Sequence, residues 1–119
     1  MKSKTLIFTA TYNEIDNVEL LIKKIKKLKN KVDILVIDDN SPDGTGTKLL
    51  QLKKRNKNLD VIIRKGKQGL DTAHKIGFNY SKRKNYTNLI TLDADLSHDP
   101  KEIPKMINIL KKKTICYWV

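Results

Sequence analysis

Two carboxylates one residue apart, Asp93 and Asp95, stand where the apolar run Asn88 to Leu92 gives way to Asp93-Ala94-Asp95-Leu96-Ser97-His98. Alternate side chains of an extended segment share a side, so both acids can face one space while Ala94 turns away. Two anions aimed at one space repel unless a divalent cation, shared with a phosphate, lies between them. Hard oxygen ligands favour Mg2+ or Mn2+, which retain waters and are completed by substrate oxygens. A solvated acidic loop is the competing reading. A second acidic end, Asp38-Asp39 followed by Asp43-Gly44-Thr45, closes the run Val32 to Ile37. An Asp just past a strand can accept from ribose hydroxyls or a base N–H, whereas Ser41 and Asp43 suit capping of a turn and the next helix. Both roles are expected, with Asp39 on a ligand and Ser41 to Thr45 structural.

Tyr12-Asn13-Glu14 follows the first apolar run. Tyr12 offers a ring for a base to pack on and Glu14 an acceptor for base or ribose, in competition with turn and helix capping by Asn13 and Glu14. Arg64, Lys67 and Gly69 form a basic, glycine-bearing loop that reads either as a loose phosphate cradle or as solvated charge. His74 stands three residues after Asp71 and shares its helix face, which suits a surface pair better than a metal site. His98 sits beside the acidic end, where a capping role competes with contact to a metal ligand. Cys116 has no His or Asp context for nucleophilic work and reads as a small apolar residue. Neither a dinucleotide-binding glycine fingerprint nor a Walker A sequence is present.

These clusters need elements to hold them. Apolar runs over Thr5–Ala10, Val32–Ile37, Asp60–Ile63 and Asn88–Leu92 read as buried strands. Helical spacing links Val18, Leu21, Ile22, Ile25 and Leu28, with Asp16 and Glu19 placed as a capping box and a run of lysines on the opposite face. Further helices are expected through Leu49 to Leu52, from about Leu70 to Ser81, and through Met106 to Leu110 after Pro100 and Pro104. The order is β-α-β-α-β-α-β-α plus a terminal stretch, Ile115 to Val119, that could add an edge strand. Alternating units predict an α/β fold, a mostly parallel sheet with helices on both faces. Ligands of such sheets sit beyond the strands' carboxyl ends, where every polar cluster falls.

At 119 residues the chain allows one domain, and two independent cores are excluded. No apolar stretch approaches the roughly 18–20 residues of a membrane-spanning helix. A single cysteine rules out an intramolecular disulfide framework and suits a reducing, cytoplasmic setting. The net charge of +12 comes from 22 lysines and only three arginines. Nucleic-acid readers favour Arg for bidentate contacts, so general surface charge or attraction to an anionic membrane fits better than nucleic acid.

Taken together, the clusters resemble the family 2 glycosyltransferases of GT-A fold, and within them the dolichol-phosphate or polyprenol-phosphate mannosyltransferase branch. Thr11-Tyr12-Asn13-Glu14 is similar to that branch's Pro-Thr-Tyr-Asn-Glu opening, with Ala10 at the proline position. Val36-Ile37-Asp38-Asp39-Asn40-Ser41-Pro42-Asp43-Gly44-Thr45 is nearly its second motif. Gly66-Lys67-Gln68-Gly69-Leu70 is similar to its Lys-x-Gly-Leu-Gly loop, with Asp71 at the second glycine, and Leu92 to Pro100 resembles its metal motif.

The resemblance implies a Rossmann-like nucleotide-sugar-binding half. In it, Ala10, Tyr12, Glu14, Ile37 and Asp39 line the guanosine side of a donor pocket and Lys67 sits near the ligand phosphates. Asp93 and Asp95, with the Ala94 backbone, hold Mg2+ or Mn2+ and the diphosphate, and Asp95 is the catalytic candidate. The implied reaction is inverting transfer of mannose from GDP-mannose to a dolichyl or polyprenyl phosphate, at the cytoplasmic face of a membrane. The resemblance runs from about Thr5 to Leu110 and covers only the donor-binding half of a family catalytic domain. Residues 1–119 are therefore expected to form one domain, truncated at its C-terminus, with a second chain as one source of the acceptor half. A family 2 transferase using another donor such as UDP-glucose, and an inactive nucleotide-binding fragment, are the alternatives. A receiver-type phosphoacceptor domain fits poorly, because its Asp pair follows the first strand.

Overall fold

The structure, a computed structural model, describes residues 4–28, 31–65, 69–97, 99–110 and 116–118. Strands β1 (Thr5–Thr11), β2 (Asp33–Asp38), β3 (Leu59–Ile63), β4 (Asn88–Thr91) and β5 (Cys116–Trp118) alternate with helices α1 (Val18–Lys26), α2 (Thr45–Arg55), α3 (Leu70–Arg83) and α4 (Ile103–Leu110). A short 3-10 helix, Pro100–Glu102, leads into α4. Both prolines thus fall in first turns, where their missing N–H costs nothing. Strands β1 to β4 are built on aliphatic, largely β-branched residues, apolar toward both faces as strands covered on both sides require.

The sheet is wholly parallel in the order β3-β2-β1-β4-β5. Alternation along each strand makes two core layers. Ile7, Ile34, Val36 and Ile90 meet Val18, Leu21, Ile22 and Ile25 of α1, Leu49 and Leu52 of α2, and Ile103 and Ile107 of α4. Leu6, Phe8, Leu35, Ile37 and Leu89 meet α3 through Ala73 and Tyr80. The chain steps outward from β1 to β3, then crosses back under α3 to β4, so the crevice between successive directions opens at the carboxyl ends of β1 and β4. The step from β4 to β5 continues in that second direction, and α4 packs on the α1 and α2 face.

The expected capping box on α1 does not form. Asn17 is the N-cap and makes no side-chain cap bond. Glu19 is therefore one position short of the reciprocal N3 site, and it pairs instead with Lys48 at 3.3 Å. The Glu14 carbonyl takes the N–H groups of Asn17 and Val18.

Candidate functional site

The loops after β1 and β2 are built as one unit. Asp38, with no exposed surface, accepts from the Thr11 hydroxyl at 2.6 Å and from the Ser41 hydroxyl and N–H at 2.6 and 2.9 Å. Ser41 Oγ in turn accepts from Asn13 N–H, Thr45 Oγ1 from Glu14 N–H, and Asp43 from Ile15 N–H. Asp43 also takes the N–H and hydroxyl of Thr45. Burial alone would raise the Asp43 pKa, but these bonds hold it below the ordinary value. Asn13 and Asn40 take positive φ angles of 57° and 53°, which asparagine tolerates better than most residues. The stretch Ser41 to Thr45 is thus structural, as its turn chemistry predicts.

Beside this unit lies a cavity of about 150 Å³ lined by Ala10, Thr11, Tyr12, Asp39, Arg64, Gly69 and Ala73. Its walls are the carboxyl ends of β1 and β2 and the amino end of α3. Tyr12 is 38% exposed and presents its ring to the outside. Asp39 is buried and receives a two-pronged contact from Arg64, Nε to Oδ1 at 2.5 Å and Nη2 to Oδ2 at 2.8 Å. Arg64 is itself only 7% exposed, so the solvated basic loop is not its setting.

Other sequence-predicted residues sit differently. Ile37 has no exposed surface and packs in the α3-side core with Ala73, behind the cavity rather than in its wall. Its place on the strand, one turn of alternation before Asp39, points it at α3. Glu14 does not line the cavity either; its carboxylate accepts from Asn17 Nδ2 at 2.9 Å, and it is the Glu14 carbonyl that caps the start of α1. Lys67, like Gly66, Gln68 and His98, lies outside the described residues.

Asp93 and Asp95 are exposed on either side of buried Ala94, in the turn that follows β4 rather than in the strand from which their alternation was expected. The end of β4 is tied to β1 through Leu92 N–H to the Phe8 carbonyl at 2.9 Å and the Thr9 hydroxyl to the Leu92 carbonyl at 2.8 Å. Phe8 pairs with Thr91 in the last rung of the ladder, and Asp93 follows two residues beyond it. Asp95 Oδ1 accepts from Ser97 N–H at 2.9 Å across a tight turn that places Leu96 at φ 66°. That conformation costs a leucine roughly 1–2 kcal/mol, offset by packing of its side chain on the α1 face of the core. His74 leans edge-on against Phe8, and burial pushes its pKa down while Asp71 and Asp93 pull it up.

Among the described residues no three His, Cys, Asp or Glu side chains gather around a common point. Two exposed carboxylates instead suit a hard cation that takes its remaining oxygens from a substrate and water. Sequence reasoning missed Thr11 and Ala73 around the cavity; their types carry no chemical signal, and only the docking of α3 brings Ala73 there.

The family described as Glycosyl transferase family 2 matches residues 6–119. Polyprenol monophosphomannose synthase of Mycolicibacterium smegmatis is 37% identical over 106 residues, covering 88% of this chain and 40% of that protein. Undecaprenyl-phosphate mannosyltransferase of Micrococcus luteus is 32% identical, covering 91% and 44%. Dolichol-phosphate mannosyltransferase of Pyrococcus furiosus is 36% identical, covering 91% and 30%. The chain thus spans less than half the length of these relatives. Among solved structures, the mannosyltransferase PcManGT from Pyrobaculum calidifontis, in complex with GDP-Man and Mn2+, superposes with a TM-score of 0.77 at 19% identity over 97% of this chain and 34% of that one. That likeness speaks for the α/β fold. With the match running through every strand and both acidic strand ends, the chain belongs to glycosyl transferase family 2.

Proposed function

We propose that this chain is the donor-binding half of an inverting mannosyltransferase that moves mannose from GDP-mannose to a polyprenyl or dolichyl phosphate. The observation that carries the reading is the cavity bordered by Ala10, Tyr12 and Asp39 at the carboxyl end of β1, whose neighbour β4 leads into the two carboxylates. Tyr12 packs the guanine, Asp39 accepts from the nucleoside, and Lys67 serves the donor's phosphates. Asp93 and Asp95 would hold Mg2+ or Mn2+ together with the donor's diphosphate. When bound, the cation would supply Lewis-acid neutralisation of charge on the departing GDP. The acceptor phosphate is already an anion, so no strong general base is needed, and the protein's work is in-line placement and electrostatic stabilisation. The residues that grip the acceptor lie outside this segment, on the same chain or a second one.

A prenyl-phosphate acceptor puts the enzyme at the cytoplasmic face of a membrane. No helix of the described residues is long and apolar enough to cross one. The exposed Lys23, Lys24, Lys53 and Lys54 on neighbouring helices α1 and α2 support peripheral contact instead. Each is worth about 1 kcal/mol beside anionic lipid. Co-sedimentation with vesicles that ignores lipid charge and salt would dispose of this contact.

The test of the donor reading is thermal unfolding of the chain with GDP, UDP or ADP, with and without Mn2+. A ligand that binds the folded state raises the midpoint by mass action. A GDP shift that requires Mn2+ is the expected result. A UDP shift would change the donor, and a cooperative melt indifferent to every nucleotide would sink the reading.

A further inference from the structure

Among the described residues Arg64 is the one buried cation. Besides its two contacts to Asp39, Nη2 donates to the Gly69 carbonyl at 2.9 Å and Nη1 to the Thr72 hydroxyl at 2.7 Å. Its own N–H donates to the Asp38 carbonyl at 2.8 Å. One side chain therefore joins the end of β2 to the amino end of α3, and both are walls of the cavity. The planar guanidinium fork matches a carboxylate in two places at once and keeps its charge when buried, which a lysine does not do as well.

A buried ion pair adds little net stability over apolar packing, yet removing one partner leaves an uncompensated charge. What distinguishes this pair is its position in the pocket wall. A polyanionic ligand entering there would otherwise meet the Asp39 carboxylate with its charge uncancelled. We infer that Arg64 is a positioning residue for nucleotide binding, acting through Asp39 and the amino end of α3. It fixes the direction of the Asp39 carboxylate, neutralises it toward an incoming nucleoside diphosphate, and holds the α3 wall at the distance the cavity needs. The role rests on the donor reading above.

The test is calorimetric titration of GDP with Mn2+ into the chain and into Arg64→Lys, Asp39→Asn and the double variant. Arg64→Lys keeps the charge and loses the fork. Its GDP affinity is expected to fall at least about tenfold while a cooperative melt remains. Asp39→Asn in that background should add little, because coupled residues are non-additive. A structural role alone would lower the melting point of Arg64→Lys and leave the GDP affinity of the folded variant intact, so Arg64→Lys binding GDP at full strength overturns the inference, as do additive losses in affinity. If Arg64→Lys fails to fold, Thr72→Val, at an exposed position, removes the Nη1 bond together with the Thr72 hydroxyl's own bond to the Gly69 carbonyl and leaves both Asp39 contacts in place. A loss of about threefold in affinity is then expected with a cooperative melt retained, and full affinity overturns the role. An unaltered chain that binds no nucleotide overturns the donor reading and this role with it, whereas variants that retain GDP overturn this role alone.

Discussion

Asp38→Asn is nearly isosteric, and it should be among the most damaging single-atom changes in the molecule. The wild-type carboxylate has no exposed surface and takes three donors: the Thr11 and Ser41 hydroxyls on Oδ1, each at 2.6 Å, and Ser41 N–H on Oδ2 at 2.9 Å. An asparagine offers one acceptor oxygen and one amide donor group in their place. If the oxygen keeps the hydroxyls, the amide nitrogen faces Ser41 N–H, donor against donor; if it flips, both hydroxyls lose their acceptor. The amino end of α2 adds to the preference for an anion, since a Cβ on Gly46 would stand 3.1 Å from Asp38 Oδ2. Losing one bond to a charged acceptor and weakening two others costs about 2–4 kcal/mol. That is a large share of the roughly 5–15 kcal/mol that holds an ordinary domain together. Urea denaturation should show a lower midpoint at unchanged slope, the sign of lost stability without a change in surface exposed. A loss under about 0.5 kcal/mol, the range of neutral surface changes, would refute the view that this carboxylate organises both loops.

Gly77→Ala should destabilise even though alanine is the better helix former. The added Cβ would lie 2.9 to 3.1 Å from three ring atoms of buried Phe8, an overpacking cost of about 1–3 kcal/mol, and a melting point equal to wild type or higher would contradict it. Tyr80 donates to Asp60 and Tyr86 to Asp33. Burial first, and then the bond to Asp60, push the Tyr80 pKa from 10.0 up to about 12, and Tyr86 is raised in the same way. The neutral phenols therefore stabilise the fold fully below pH 10, and this contribution is lost as pH climbs through the raised values. Phenolate absorbance should show two of the four tyrosines ionising late or only on unfolding; ionisation of all four near pH 10 with the fold intact would count against it. In a catalytic domain of full family length carrying this segment, Asp95→Ala should lower turnover by about 10³-fold or more, roughly 4 kcal/mol. Near-normal transfer there would remove Asp95 from the reaction.

The order of elements and the strand ends at which the polar clusters fall were legible in the sequence. Continuous apolar runs and helical apolar spacing are local properties, so Thr5 to Ala10, Val18 to Leu28 and the later segments declare themselves, and each polar cluster falls at a strand's carboxyl end because the runs end there. Ser41 to Thr45 was legible for the same reason, since turn chemistry acts over three or four residues. The tertiary structure alone decided which of the candidates share a cavity. Ile37 turned into the core because its register with Ala10 puts it under α3, and Glu14 was taken up in capping. The contact between Arg64 and Asp39 joins residues 25 apart across a crossover. No pattern in either segment records it, because where the guanidinium lands depends on how α3 packs against the sheet. The placement of α4 is of the same kind: Ile103 and Ile107 are apolar either way, and only packing chose the face on which they were buried.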